Sequence, residues 1–184
     1  MTSGLPNMAG GNRICPATVR RCVLEVIHLL AVRAPRLERA LKKVTRNGGH
    51  VVLVDGTLVR TRRLTGSDNR RNYSGKHRAH GLFFLTLTDD KGRLLWISAA
   101  RPGCSSEITT VRYNKLVEQL PAHELGAIGD LGFVGLDTDP DDPVVITGHK
   151  ATRTKPLTSA KKQVNTLIAS ARAVCEHAVA HLKN

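Results

Sequence analysis

The chain has 184 residues, 41% hydrophobic but only 3% aromatic, enough for one domain whose core is built from Val, Leu, Ile and Ala. No stretch approaches the roughly 18 apolar residues of a membrane helix, and four scattered cysteines without a Cys-x-x-Cys pair fit reduced thiols of a cytoplasmic protein better than a disulfide frame or zinc knuckle. The net charge of +13 is uneven: residues 1–80 hold 16 Lys or Arg against 4 Asp or Glu, and residues 81–184 hold 12 against 11. A chain that tolerates such self-repulsion at one end is built to meet a polyanion, which puts nucleic acid first among partners and leaves no role for a membrane.

Residues 1–12, rich in Gly and Pro, read as a flexible leader without the basic start and apolar run of a signal peptide. Residues 13–47 form a basic helical segment: Val19, Val23, Val26, Ile27, Leu30, Leu37 and Leu41 recur at helical spacing, and Pro35 divides them into two helices. With no further helix before Pro16, the segment is a partial DNA-binding region. His50 to Asp55 is a strand ending at Gly56, and Thr57 to Arg63 is expected to return as its hairpin partner. Ser67 to His80 is polar and basic, a loop. Leu82–Thr88 and Arg93–Ala99 flank the turn Asp89-Asp90-Lys91-Gly92 and complete a three-stranded antiparallel meander. Then come a helix over Ser106–Leu120, a short buried strand Leu125–Gly129 ending at Asp130, another at Val144–Thr147, and a long helix from Ser159 to Lys183. This order predicts an α/β, ribonuclease H-like fold: a mixed sheet, antiparallel meander plus parallel strands, flanked by helices and preceded by a short N-terminal helical segment.

Asp55 and Asp130 each close an apolar strand, so adjacency of those strands would pair two carboxylates, the minimal cradle for a hard cation such as Mg²⁺. The plain alternative for each is a cap or turn former. In the last helix, Val164, Leu167, Ile168, Ala171, Val174, Cys175, Ala178, Val179 and Leu182 predict a wide core stripe. Asn165, Arg172, Glu176 and Lys183 fall within roughly 20° of a separate line. Glu176 there could complete a metal site while the cations hold phosphates; the alternative is a solvated face with an ordinary Arg–Glu pair. Asp137, Asp139, Asp141 and Asp142 lack the Gly and Glu of a calcium loop and read as an acidic surface turn. Cys15, Cys22 and His28 fit no zinc finger spacing.

The blocks VVLVDGTLVRT around Asp55, YSGKHRAHG at Tyr73–Gly81, DDKGRLLWIS with Pro102-Gly103, GDLGFVG around Asp130, and KPLTSAKKQVNTLIASARAVCEHAVAHLK with spacing N-x6-R-x3-E-x6-K occur in an order that is familiar. From about Pro16 onward the chain resembles the DDE-superfamily transposases of bacterial insertion sequences, in the group related to Harbinger transposases. The resemblance implies that residues 48–184 are a ribonuclease H-like catalytic domain, shortened at its C-terminus. It further implies that Asp55, Asp130 and Glu176 bind two Mg²⁺ or Mn²⁺ ions, and that the protein cleaves transposon ends and transfers strands to target DNA. Lys76, His77, Arg78 and His80 would lie along the DNA backbone, with Arg172 and Lys183 supporting it from the helix. Association with the nucleoid and a homodimer or higher oligomer on DNA are expected. Ser106-Glu107 stands where the family usually has His-Asp, and Leu131 and Phe133 replace a commoner Lys and Tyr. The alternative is a truncated, catalytically inactive remnant that only binds DNA.

Overall fold

A computed structural model describes residues 14–61, 69–136, 143–154 and 156–180, without the side chains of 176–179. The expected leader, the acidic turn at 137–142, Lys183 and the side chain of Glu176 lie outside these residues. By compactness the chain divides into two units, one up to Pro35 and one from Arg36. The first contains helix α1 (Pro16–Arg33), which has proline in its first turn, no buried residue, and an end just before Pro35.

The second unit opens with α2 (Leu37–Arg46), whose Leu37, Ala40, Leu41 and Val44 recur at i, i+3, i+4, i+7 and are all buried. Gly48, at φ +75°, then turns the chain, and the Gly49 amide donates to the Val44 carbonyl at 3.0 Å. Strand β1 (Val51–Arg60) comes next as a single ten-residue element, so the hairpin expected at Gly56 is not formed. This glycine does not turn the chain. It makes room, because a Cβ there would stand 2.6 Å from Phe83 Cζ and 2.9 Å from Glu107 Cγ.

Within the expected basic loop, β2 (Tyr73–Ser74) pairs with the start of β3 (Ala79–Thr88), so Gly75 to Arg78 form the turn of a small hairpin. After the Asp89–Gly92 turn come β4 (Leu94–Ile97) and β5 (Arg101–Pro102), both antiparallel to β3. The helix expected over 106–120 is split into α3 (Glu107–Tyr113) and α4 (Leu116–Gln119). The Asn114 side-chain amide donates to the Thr110 carbonyl at 2.8 Å beside its own backbone amide at 3.1 Å, closing the helix end, and Lys115 turns left-handed at φ 51°. Strands β6 (Gly126–Gly129) and β7 (Val145–Thr147) and helix α5 (Ser159–Ala180) complete the unit.

Across the sheet, β3 pairs antiparallel with β1, β1 parallel with β6, and β6 parallel with β7, while β4 and β5 line the outer side of β3. This mixed sheet with flanking helices is the ribonuclease H-like α/β architecture. Its main core joins Val52, Val54 and Leu58 of β1 to Leu41 of α2, Val111 of α3 and Leu116 of α4. A smaller cluster of Leu53, Ile128 and Cys175 lies under α5.

Helix α5 departs from the expected wide core stripe. Val164, Leu167 and Val174 are exposed, Leu167 to 71%, whereas Cys175 is buried and Asn165 and Arg172 are half-buried. The line with the polar residues faces inward because it has partners there: Asn165 bonds both the amide and the carbonyl of His149, and Arg172 bonds Asp55. Among the described residues, no helix is long and apolar enough to cross a membrane.

Candidate active site

The parallel register pairs Val51 with Gly126 and Leu53 with Ile128. The ladder stops there, two residues short of both Asp55 and Asp130, so the two acids follow the paired stretch at the same end of the sheet. Each acid also shares a sheet face with the residue two before it, so both carboxylates lie on the face where Leu53 and Ile128 pack against Cys175 of α5. The placement of Asp55 differs from the expected strand end. It lies mid-strand, where β1 runs on past the end of β6 as a ribbon with β3, facing Thr86.

The two carboxylates are held differently. Asp130 caps a short 3₁₀ turn (Leu131–Phe133), its Oδ1 accepting the Gly132 amide at 2.8 Å. Arg172 Nη2 donates to Asp55 Oδ1 at 3.1 Å, and both side chains are largely covered, at 15% and 14% exposure. Helix α5 therefore lies against the acid-bearing strands at Arg172 and Cys175, and Glu176 is the next residue along it.

Lys76, at the tip of the β2–β3 hairpin, reaches the same place. Its ammonium donates to Glu107 Oε1 at 2.5 Å. That bond raises the Lys76 pKa above its ordinary value; burial opposes the shift, and the charges of Glu107, Asp130 and Asp55 reinforce it. Of its neighbours, His77 and Arg78 are exposed in the turn, and Arg78 adopts φ 48°. His80 is placed otherwise: it lies in β3 opposite Tyr73 with ring centroids 5.1 Å apart, and its Nδ1 is buried without a hydrogen-bond partner.

Glu107 is the residue that sequence reasoning passed over, having noted it only as a departure from the family's Asp. It is the first residue of α3, capped by Ser106, whose Oγ accepts the Thr109 amide at 3.1 Å. A Cβ added at Gly132 would stand 2.8 Å from Asp130 Oδ1 and 3.1 Å from Glu107 Oε2, so these two oxygens flank one point. The signal for it was an acid at a helix start after the Pro-Gly block, beside glycines that come shortly after both strand acids.

Among the described residues, no group of three His, Cys, Asp or Glu side chains is gathered to hold a metal ion. The donor chemistry of Asp55 and Asp130 still suits one, because Mg²⁺ is commonly held by one or two carboxylates while water and phosphate oxygens fill its other positions. The model of the family described as DDE superfamily endonuclease matches residues 54–184, a span that takes in both strand acids, Lys76, Glu107 and α5. No curated protein and no solved structure matches the chain. The chain belongs to the DDE superfamily of endonucleases.

Proposed function

We propose that the protein is a metal-dependent DNA transposase in which Asp55, Asp130 and Glu176 are the catalytic carboxylates. The observation that supports this reading is the parallel pairing of β1 with β6, whose register ends two residues short of Asp55 and Asp130, together with the Arg172–Asp55 bond from the helix that also carries Glu176. Two Mg²⁺ or Mn²⁺ ions at these acids would activate water or a DNA 3′-hydroxyl and stabilise the leaving oxygen of the scissile phosphodiester. The chain's own residues do the rest. Asp130 is oriented by the Gly132 amide and Asp55 by Arg172, so the carboxylates are aimed before substrate arrives. Lys76 and Arg78 present cations along the DNA backbone beside the His77 imidazole; His80 supports the base of their hairpin, Arg172 acts from the helix side, and Lys183 adds a further positive charge.

The test is cleavage and strand joining on duplex DNA carrying the element's ends, in Mg²⁺ or Mn²⁺. Asp55→Asn and Asp130→Asn are each expected to lower the rate by at least about a hundredfold. Activity that survives either change refutes the assignment. Salt-sensitive DNA binding with no cleavage by the unmodified protein would leave the DNA-binding remnant as the answer.

A further inference from the structure

Glu107 is threaded through a slot made by two glycines. Its Cγ would be 2.9 Å from a Cβ at position 56 and its Cδ 2.9 Å from a Cβ at position 132, so neither site accepts a side chain while Glu107 stays where it is. Gly56 directly follows Asp55, and Gly132 lies two residues after Asp130, so the slot runs between the two acid-bearing segments. The Glu107 side chain is 13% exposed. One of its oxygens holds Lys76, and the other shares the vacant point at Gly132 with Asp130.

This arrangement answers a difficulty for Lys76. A lysine has a flexible four-carbon stem and a compact charge, and from a four-residue turn it could sample much of the surface or fall onto the acids themselves. Held by Glu107, it is kept beside Asp55 and Asp130 but not on them. We propose that Glu107 is the positioning residue of this site, seated between Gly56 and Gly132 to hold the Lys76 ammonium where it meets a non-bridging oxygen of the DNA phosphate brought to the acid pair. The inference rests on the acid pair being the cleavage site. It gives the Glu that replaces the family's Asp a purpose, since its longer side chain spans the slot.

The decisive measurement is affinity for a fluorescent DNA duplex over a salt series with Ca²⁺ in place of Mg²⁺, so that a cation neutralises the acids while its looser coordination keeps cleavage out of the reading. Lys76→Met is expected to weaken binding on the order of tenfold and to lower the salt slope by about one phosphate contact. Glu107→Gln separates the alternatives by sign: a carboxylate acting only through its charge would, once neutralised, tighten binding to a polyanion. A positioning residue predicts weaker binding, approaching that of Lys76→Met, and no further loss when Glu107→Gln is added to Lys76→Met. Unchanged or tighter binding by Glu107→Gln, with a native thermal melt, overturns the proposal, as does an additive double variant. Gly132→Ala, whose Cβ would displace both Asp130 Oδ1 and the Glu107 carboxyl without altering charge, should weaken binding as well, and unchanged affinity there is equally contrary. Cleavage that survives Asp130→Asn would sink the active-site reading itself, whereas an unaffected Glu107→Gln sinks only the positioning role.

Discussion

Arg172 Nη2 donates to Asp55 Oδ1 at 3.1 Å, joining two residues 117 positions apart. The bond ties α5 to the middle of β1 and sets the polar line of the helix toward the sheet. Because both side chains are mostly covered, neither charge can be removed without leaving its partner poorly solvated. Arg172→Met is therefore expected to cost about 2 kcal/mol, a fall in melting temperature of roughly 4–8 °C. Arg172→Lys should recover only part, since an ammonium does not reproduce the guanidinium fork. A melt unchanged by Arg172→Met would mean that Cys175 and its apolar neighbours hold the helix unaided.

The acid pair should also be detectable by stability. A cation that binds only the folded protein stabilises it by mass action, by about 2.7 kcal/mol at one hundred times its Kd. Titrating the metal-free protein with Mn²⁺ should raise its melting temperature, and chelation should reverse the rise. Asp130→Asn should abolish most of it while keeping the cap to Gly132, because an amide oxygen can still accept that hydrogen bond. An equal rise in the variant would place any bound Mn²⁺ elsewhere.

Most core strands were legible in the sequence because each is a short apolar run bounded by turn residues, and the 75 positions between Asp55 and Asp130 equal the offset of the β1–β6 register, whose adjacency only the fold supplies. Gly56 was misread as a hairpin turn because local propensity cannot see Phe83 and Glu107 arriving from distant segments. The same blindness to partners made the core stripe of α5 too wide, since Ile168, Ala171 and Cys175 are covered wholly or in part but its other flank is not. Val164, Leu167 and Val174 are apolar and periodic, yet the inward line carries Asn165 and Arg172, whose partners His149 and Asp55 appear only when the chain is folded. Glu107 stood out in the sequence only as a departure from a pattern, since its meaning lies in a slot between two glycines 76 positions apart in the chain.

Asp89 predicts an acid-sensitive turn. It is buried, accepts the Lys91 and Arg93 amides at 3.1 and 2.8 Å, and pairs with Arg93 Nε at 2.6 Å. Burial alone would push its pKa up, but the backbone and side-chain bonds from Arg93 outweigh this, helped by the Arg93 charge and the Lys91 amide, and hold it below the ordinary aspartate value. A depressed folded-state pKa gives stability that is present above the unfolded value and lost as pH falls through the folded one. Asp89→Ala is expected to cost about 2 kcal/mol near neutral pH. Its deficit relative to the unmodified protein should shrink as pH drops below the ordinary aspartate range. Urea midpoints at several pH values provide the check, and a deficit independent of pH would assign the loss to the turn's shape.

Two leucines test where the core lies. Leu41 on α2 is fully buried among residues of the sheet and of α3 and α4, so Leu41→Ala removes transfer free energy and leaves a cavity. The expected cost is about 3 kcal/mol, enough to lower the melting temperature by roughly 6–12 °C. Leu167 occupies an equally apolar helical position on α5 but is largely exposed, so Leu167→Ala should change stability by less than about 0.5 kcal/mol. Periodicity alone gives both leucines to the core. Only the folded arrangement separates them, because α5 turns its polar line to the acid-bearing strands while α2 has no buried polar partner to satisfy. Similar losses in the two variants would restore the apolar stripe of α5 to the interior and, with it, remove the reason for Arg172 to face Asp55.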